Sequence, residues 1–374
     1  MQVVLISKAY VLATYRRKAE EIAALGVNLT LVVPPYWRDE RGTMALEPEE
    51  ARGYRKVVLP IALNGHYHLH WNRGLTKLLR DVRPDIVHIE EEPYNLATFL
   101  ATRAASSIGA STIFFTWQNL NRRYPLPFRL MERYCHSKAV YALAGNQEAI
   151  AVLRAKGYCG PATVIPQFGV DPELFSPGGH EPEEFTVGYI GRLMPEKGVD
   201  LLLQALASLT APWRLLILGS GPEREKLGRL ADELAIAARV EFLQPVPSYA
   251  LPQHLRRLNC VVLPSRSLPN WREQFGRVLV EAMACGVPVI GSTCGEIPNV
   301  IGDAGLIFPE GDVAGLQQAL RQLQQEASLR THLASLGRQR VLARFTQAQV
   351  AQATVAVYER VLAGAEIGRR RSIQ

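Results

Sequence analysis

Short apolar runs alternate with amphipathic stretches along the chain, and this alternation is its strongest structural signal. In the first half, the apolar runs Val3–Ser7 and Val27–Val33 each predict a buried strand. Between them, Thr14 is expected to cap a helix that ends at Leu25, with Gly26 as the stop. Further strands predicted in this half are Asp85–Ile89, Thr112–Phe115 and Ala139–Ala144, and further helices are Asn95–Ser107 and Pro127–Ser137.

The second half repeats the same pattern. Its predicted strands are Phe185–Ile190, Leu215–Leu218, Val240–Leu243, Cys260–Leu263 and Val287–Ile290. Its predicted helices are Asp200–Ser208, Glu223–Ala235, Ala250–Leu258 and Gly276–Ala284. Strands that alternate with helices are typical of a parallel sheet with helices on both faces. We therefore predict an α/β protein made of two Rossmann-like domains.

A turn-rich stretch, Gln167–Pro172 followed by Ser176–Gly179, separates the two halves. We place the first domain at residues 1–168 and the second at 169–345, and we expect the final helix, 346–374, to pack back on the first domain. Open α/β sheets bind ligands at the carboxyl ends of their strands. The cleft where these ends of both sheets face each other is therefore the expected active site.

The composition is that of an ordinary globular protein. Of 374 residues, 48% are hydrophobic and 21% are charged, which excludes a disordered or collagen-like chain. No run reaches the roughly 18 apolar residues of a membrane span, and the first residues lack the basic segment of a signal peptide, so we expect a cytoplasmic protein. The five cysteines form no CxxC pair and are expected to be reduced thiols. His66, His68 and His70 alternate with a spacing that suits no defined metal site.

The net charge of +7 is unevenly distributed along the chain. Residues 1–168 hold 21 basic and 14 acidic residues, so they carry the entire excess. This asymmetry indicates an acidic partner for the first domain, such as an anionic membrane surface, a lipid phosphate or an acidic glycan. A scattered, solubilising surface charge is the alternative. Nucleic acid is a less suitable partner because no basic-aromatic stripe accompanies the charge.

The loop after strand Phe185–Ile190 has the composition of a phosphate site. It holds Gly191 and two cations, Arg192 and Lys197, just before a predicted helix. A guanidinium can bind two phosphate oxygens at once, and an ammonium supplies a compact positive charge. The alternative is a pair of solvated loop cations.

A second segment places two carboxylates, Glu273 and Glu281, eight residues apart around the start of a helix. The exposed amides of Phe275, Gly276 and Arg277 would direct the positive end of the helix dipole at an anion. Eight helical residues span about 12 Å, which matches the reach from a hexose across a diphosphate to a ribose. Glu273 would then hold sugar hydroxyls and Glu281 ribose hydroxyls, unless the pair is a solvated helix face.

Three motifs in this order resemble glycosyltransferase family 4. They are Val164-Ile165-Pro166 with Gly169-Val170-Asp171, Gly191-Arg192-Leu193 with Lys197-Gly198, and the Glu273 to Glu281 segment continued by Ala-Met-Ala-Cys-Gly-Val-Pro-Val-Ile. The resemblance is close in the second half and loose in the first. It implies the retaining GT-B architecture, a nucleotide-sugar donor and no metal ion or other cofactor.

The resemblance also implies a role for each matching residue. Arg192 and Lys197 would bind the donor diphosphate and assist its departure, Glu273 would sit by the donor sugar, and Glu281 by the ribose. The segment Phe242–Val246 would lie near the base. The implied reaction is a front-side substitution in which the leaving diphosphate oxygen takes the acceptor proton.

The first half departs from the family pattern in its loops. No glycine follows the first strand, so Lys8 or Tyr10 would replace a glycine-rich loop. Gln118 or Asn119 stands where many members have a histidine, although a capped turn would have the same composition.

Two carboxylates at predicted strand ends complete the candidate site. Glu92 is our candidate for orienting an acceptor hydroxyl, against the alternative that Glu90-Glu91-Glu92 is a solvated acidic turn. Glu296, after a second-domain strand, is expected to line the donor pocket or to serve only the turn.

The sequence favours a retaining glycosyltransferase that moves a hexose-type sugar from a UDP- or GDP-sugar to a glycan, a lipid-linked or a small-molecule acceptor. The alternatives are a sugar-nucleotide epimerase or phosphorylase of the same fold, or a non-catalytic sugar- or lipid-binding protein. The basic first domain makes peripheral association with the inner face of a membrane a further expectation, with a role in polysaccharide or glycolipid synthesis. A nicotinamide dehydrogenase is disfavoured because neither half has a glycine fingerprint after its first strand.

Overall fold

The protein folds into two compact units in a computed structural model that describes residues 1–39, 42–48, 50–178, 182–210 and 212–371, with the backbone alone for 365–371. One unit comprises residues 1–169 and the C-terminal helix from Gln347; the other comprises Val170–Thr346. Each boundary therefore lies one residue beyond the predicted one.

The first unit is built on a parallel sheet. Its strands are β1 Gln2–Ile6, β2 Asn28–Val33, β3 Tyr36–Asp39, β4 Gly42–Ala45, β5 Arg55–Val58, β6 Ile61–Ala62, β7 Trp71–Asn72, β8 Ile86–Ile89, β9 Ser111–Thr116, β10 Tyr141–Ala144 and β11 Ala162–Val164. Among the described residues, seven of these strands form the sheet in the order β11-β10-β9-β8-β1-β2-β5, all parallel. The pairs β3-β4 and β6-β7 are short antiparallel hairpins outside it.

The helices of the first unit cover this sheet. They are α1 Ala13–Ala24, α2 Leu75–Val82, α3 Leu96–Ser107, α4 Leu126–Lys138 and α5 Gln147–Ala155. The prediction that Thr14 caps α1 is wrong, because Thr14 lies inside the helix. The N-cap position belongs to Leu12, which has no capping side chain, and the Glu47 carboxylate instead accepts from the Ala13 amide at 2.5 Å.

The second unit has a sheet of the same kind. Its strands are β12 Phe185–Ile190, β13 Trp213–Leu218, β14 Val240–Leu243, β15 Cys260–Leu263, β16 Val289–Ser292 and β17 Leu306–Phe308. Their order is β14-β13-β12-β15-β16-β17, with every described pair parallel. The prediction of two Rossmann-like parallel sheets is thus confirmed.

The helices of the second unit extend beyond the predicted set. They are α6 Val199–Ala207, α7 Arg224–Glu233, α8 Leu251–Leu255, α9 Arg277–Ala284, α10 Ile297–Ile301, α11 Val313–Gln325 and α12 Ala327–Arg344. Helices α10 to α12 were not predicted, and β16 lies two residues later than the predicted strand Val287–Ile290.

The last helix, α13 Gln347–Arg371, belongs to the first unit although it follows the second in the chain. It packs against α1, and Val350, Val355 and Tyr358 join the core that also holds Val3 and Leu5. The predicted helix 346–374 includes residues 372–374, which lie outside the described residues.

Two further features concern the apolar character of the helices and the state of the cysteines. Within the described ranges, no helix combines the length and apolar character that crossing a membrane requires. All five cysteines are free thiols, and only Cys159 is exposed.

Candidate functional site

The second unit changes direction between β12 and β15. The chain adds strands on one side of β12, then crosses to the other side at β15, so the connections that follow β12 and β15 lead to opposite sides. Open α/β sheets form their ligand-binding crevice at such a point. Lys197 ends a short 3-10 helix that follows β12, while Ser265 and Glu273 lie in the loop after β15. The topology therefore brings the predicted cation and carboxylate to the same point.

Lys197 and Glu273 form an ion pair at this crevice. Lys197 Nζ lies 2.6 Å from Glu273 Oε2, and the Ser265 hydroxyl donates to the same oxygen at 3.0 Å. The Trp271 ring lies 4.7 Å from Nζ, at cation–π distance. The two charged side chains are only 13% and 11% exposed, so water screens their attraction weakly. The sequence analysis predicted both members of the pair but missed Ser265 and Trp271. Their position in the same loop as Glu273 could have indicated them.

The loop that carries Arg192 is fixed by a second loop. The Leu193 amide donates to Ser220 O at 2.8 Å, and Arg192 O accepts from the Tyr189 hydroxyl at 2.7 Å. A Cβ added to Gly219 would lie 1.9 Å from Gly191 O, so only glycine allows the two loops to touch. The turn at Gly219 is structural, and it presents the exposed Arg192 side chain beyond the end of β12.

Helix α9 begins at the predicted position. Its N-cap, Gly276, has a left-handed φ of 74°, and a Cβ there would come within 2.9 Å of a Leu263 methyl. Phe275 packs edge-on against Phe345, which anchors the residue before the cap. The first amides of α9 have no intrahelical acceptor, as an anion site requires.

Glu281 lies one turn into α9 and already has a partner. Arg277 Nε donates to Glu281 Oε1 at 2.7 Å, an ion pair with an i to i+4 spacing. Burial raises the pKa of Glu281, and Arg277 opposes this shift. The sequence predicted a role for the Arg277 amide but missed this use of its side chain.

The remaining donor-side candidates lie at different distances from the pair along the sheet. The Glu296 amide donates to Glu273 O at 3.1 Å, so Glu296 adjoins the site, and its carboxylate accepts from Asn299 at 3.2 Å. Val246 follows β14, two strands from β12, and packs on the core of the second unit. The structure thus brings Glu296 to Glu273 and leaves Val246 at the sheet edge.

The first unit has an equivalent change of direction between β1 and β8. Lys8 follows β1, and it forms an ion pair with Glu91, which follows β8. His70 Nε2 lies 3.5 Å from the other Glu91 oxygen. Burial alone would raise the pKa of Glu91, but Lys8 and His70 lower it to about 2.

Glu92, the residue after Glu91, has neutral hydrogen-bond donors as its partners. Its two oxygens accept from the Thr116 hydroxyl at 2.6 Å and from the Trp117 amide at 2.8 Å. Burial raises the pKa of Glu92 to about 7, against the effect of these two hydrogen bonds. Glu92 therefore ties the end of β8 to the loop after β9, and its expected role toward an acceptor stays a prediction.

Glu90, Glu91 and Glu92 are not a solvated acidic turn, because Glu90 and Glu91 are buried and all three have protein partners. Lys18 Nζ lies 2.5 Å from Glu90 Oε1, with both side chains almost fully enclosed. Tyr10, expected on the acceptor side, is fully buried with its hydroxyl 3.5 Å from the same oxygen. As placed, Tyr10 is a core residue. The sequence analysis missed Lys18, although a lysine on the apolar face of a helix indicates a buried charge with an acidic partner.

Gln118 and Asn119 lie in the loop after β9 and are both buried. Gln118 Oε1 accepts from Lys156 Nζ at 3.0 Å, and Asn119 Nδ2 donates to Glu148 at 3.2 Å. Lys156 also pairs with Glu132 at 2.6 Å. These contacts hold both side-chain amides in place, so the conformation of the loop after β9 is fixed by hydrogen bonds within the first unit.

In the part of the chain that the structure describes, no three His, Cys, Asp or Glu side chains are grouped as metal ligands. His68 and His70 instead contact Asn95 at 3.0 Å and Glu91 at 3.5 Å, respectively.

Two family models match adjoining parts of the chain. The model described as Glycosyl transferases group 1 matches residues 170–340, and the model described as Glycosyltransferase Family 4 matches residues 14–174. Together they span residues 14–340, which include the site residues from Lys197 to Glu296.

Curated relatives are named D-inositol 3-phosphate glycosyltransferase. The protein of this name from Mycobacterium marinum is 34% identical over 224 residues, 55% of this chain and 47% of the relative. The one from Stackebrandtia nassauensis is 33% identical over 233 residues, 56% of this chain and 51% of the relative. The chain thus spans about half the length of the curated relatives it matches.

Solved structures share the fold over nearly the whole chain. Sucrose-phosphate synthase from Thermosynechococcus elongatus is 20% identical with a TM-score of 0.73, covering 97% of this chain and 100% of that chain. Anabaena HepE in complex with UDP is 16% identical with a TM-score of 0.72, covering 96% and 100%. The lipopolysaccharide glycosyltransferase WaaG is 18% identical with a TM-score of 0.61, covering 94% and 98%.

Proposed function

Since this chain belongs to glycosyltransferase family 4 and has the GT-B fold, we propose that it transfers a hexose-type sugar from a UDP- or GDP-sugar to an acceptor hydroxyl, with retention of configuration. The donor binds the second unit at the crevice between β12 and β15. The observation that carries the proposal is the ion pair between Lys197 and Glu273 at that crevice.

The contacts of this pair suit a diphosphate and a sugar side by side. Lys197 and Ser265 both donate to Glu273 Oε2, and no described residue makes a hydrogen bond to Oε1. A sugar hydroxyl can donate to Oε1, while a diphosphate oxygen competes with Glu273 for the ammonium. Glu273 thus holds Lys197 in place before the donor arrives, and Arg192 supplies a second positive charge from the neighbouring loop.

The proposed transfer step makes use of both cations. The bond between the anomeric carbon and the diphosphate oxygen breaks, and the acceptor oxygen bonds to that carbon on the same face. The acceptor proton passes to the leaving diphosphate oxygen. Lys197 and Arg192 stabilise the negative charge that grows on the diphosphate, so their contribution is greatest in the transition state.

Ligand choices for the first tests come from the similar proteins. HepE was solved in complexes with UDP and with UDP-glucose, which supports UDP as the first nucleotide. The curated relatives are named for D-inositol 3-phosphate, which supports a phosphorylated cyclitol as the first small-molecule acceptor. A glycan or a lipid-linked acceptor is the next class, and the excess positive charge of residues 1–168 supports presentation at an anionic membrane surface.

Nucleotide binding tests the proposal directly. Thermal unfolding of the wild type should be measured with UDP, GDP, ADP, NAD and a panel of nucleotide sugars. A ligand at about 100 times its dissociation constant stabilises by about 2.7 kcal/mol. We expect UDP or GDP to stabilise the wild type, and Arg192→Ala and Lys197→Met to abolish most of that effect. Turnover should fall about 100-fold or more in Lys197→Met.

Lys226→Met is the matched control. Lys226 also pairs with a glutamate, Glu223 at 3.0 Å, but it lies on α7 and is 65% exposed. The control should keep the full nucleotide effect and full turnover. Stabilisation by no nucleotide, or an equal loss in Lys226→Met, would contradict the proposed donor site.

A further inference from the structure

A separate cavity of about 480 Å³ lies in the first unit between α2 and α3. Its lining shares no residue with the candidate site. The residues that line it belong to β7, to the turn before α2, and to α2 and α3 themselves. A cavity of this size is large enough for a small-molecule ligand or a headgroup.

Three arginines give this cavity a strong positive charge. Arg73 precedes α2, Arg80 lies within it, and Arg103 projects from α3. The side chains of all three are without an ion pair or hydrogen bond to any residue that the structure describes, and the lining contains no carboxylate. Three like charges around one space repel each other, and an anion bound among them relieves that repulsion.

The rest of the lining divides into a polar and an apolar part. Asn72 and Thr76 offer an amide and a hydroxyl as further donors, whereas the Ser107 hydroxyl already donates to Ala104 O at 2.8 Å. Trp71 and Leu100 belong to the apolar part, with Leu75, Ala97 and Ala104 buried beneath. A ligand that fits both parts has a negatively charged group with several hydrogen-bond acceptors, attached to an apolar group.

We infer that this cavity binds a phosphate mono- or diester attached to an apolar group. A guanidinium group can bind two phosphate oxygens at once, and three such groups supply enough donors for the three free oxygens of a monoester or the two of a diester. The same chemistry is found in a phospholipid headgroup, a lipid-linked phosphate and a soluble phosphate ester. The inference does not depend on the proposed transferase activity.

Binding of three probes distinguishes these sources. The probes are inorganic phosphate, short-chain phosphatidylglycerol below its micelle concentration, and vesicles of phosphatidylcholine with or without phosphatidylglycerol. The test variant replaces Arg73, Arg80 and Arg103 by Gln. The control replaces Arg55, Lys77 and Arg133 by Gln, which removes the same charge from exposed positions of the same unit outside the cavity.

We expect the lipid probe to bind the wild type, and the test variant to lose about 100-fold or more in affinity, since each charged hydrogen bond contributes about tenfold. The control should change by less than about threefold. Saturable binding of phosphate or the short-chain lipid without vesicle binding assigns a soluble ester. Vesicle binding that requires both phosphatidylglycerol and the three arginines assigns a membrane lipid.

The inference is overturned if no probe binds the wild type, or if the control loses as much affinity as the test variant. The test variant should keep the stabilisation by nucleotide described above. A failure of this cavity to bind phosphate esters therefore remains distinguishable from a failure of the donor site.

Discussion

At the scale of single residues, three consecutive glutamates show how position decides the behaviour of identical side chains. Glu90 pairs with the enclosed Lys18, Glu91 with Lys8 and His70, and Glu92 with the hydroxyl and amide of the next loop. The pKa of Glu91 falls to about 2 because it has a nearby cation, whereas that of Glu92 rises to about 7 because burial outweighs its hydrogen bonds.

Replacing Glu92 by Gln should flatten the dependence of stability on pH. Between pH 4.5 and about 7, folded Glu92 retains a proton that the unfolded chain has released. The wild type therefore loses stability as pH rises through this window, by up to about 1.4 kcal/mol per pH unit. Glu92→Gln has no such proton, so its free energy of unfolding should fall less over the same window.

Urea unfolding at several pH values between 5 and about 8 measures this difference. Glu20→Gln, at an ion pair with the 45% exposed Arg17 on α1, serves as the control and should follow the wild type. Parallel pH profiles for Glu92→Gln and the wild type would contradict the raised pKa.

The sequence analysis predicted the site residues that belong to recognisable motifs. It missed the residues whose role depends on tertiary packing. Lys197 and Glu273 stand in recognisable motifs, so their candidate roles were visible without a structure. Trp271 and Ser265 become relevant only because two loops converge after β12 and β15. Tyr10 was misassigned because no local pattern distinguishes a buried tyrosine from one at a loop surface.

At the scale of elements, the candidate donor loop depends on contact between two turns. The backbone after β12 packs on the turn after β13. Because Gly219 has no side chain, its backbone can contact the carbonyl of Gly191 directly. The core strands were predictable because they are continuous apolar runs. The hairpins β3-β4 and β6-β7 were not, since they are short, half-exposed and without a regular alternation.

Gly219→Ala should destabilise the protein and weaken nucleotide binding together. Its Cβ would lie 1.9 Å from Gly191 O, so the loop that carries Arg192 has to move. We expect a loss of about 1–3 kcal/mol in the free energy of unfolding, as for other overpacked positions. Denaturant unfolding and the nucleotide-dependent thermal shift measure the two effects.

Gly228→Ala provides the matched substitution. Gly228 lies within α7, and an added Cβ there would meet no atom within 4 Å. Alanine is the better helix former, so this variant should gain up to about 1 kcal/mol and bind nucleotide normally. Equal effects of the two alanines would show that the clash at Gly219 is relieved without cost.

At the scale of the whole molecule, the two units differ in how the chain builds them. The second unit is one continuous segment, 170–346, whereas the first requires α13 from the far end of the chain. Sequence periodicity predicted a helix there. Its contact with His88 in the central strand β8 emerges only from the fold.

Tyr358→Phe should destabilise the first unit selectively. The Tyr358 hydroxyl lies 2.7 Å from His88 Nδ1, both residues are fully buried, and burial lowers the pKa of His88, so the imidazole is neutral. Loss of the hydroxyl leaves Nδ1 unpaired at a cost of about 1–3 kcal/mol.

Hydrogen exchange should report faster opening of β1 and β8 in this variant and unchanged exchange in β12 and β15. Tyr249→Phe, at a tyrosine that is 69% exposed in the second unit, should leave both sets unchanged. An equal acceleration in both units of Tyr358→Phe would show that they unfold as one.

The discontinuous first unit has a consequence for biosynthesis. A ribosome releases residues 1–169 early, but the segment that completes their core, α13, emerges only after the whole second unit. The second unit can therefore mature first, although it is translated second. During that interval the apolar surface that Val350, Val355 and Tyr358 will cover stays open, and a nascent chain at this stage is a natural client for a chaperone.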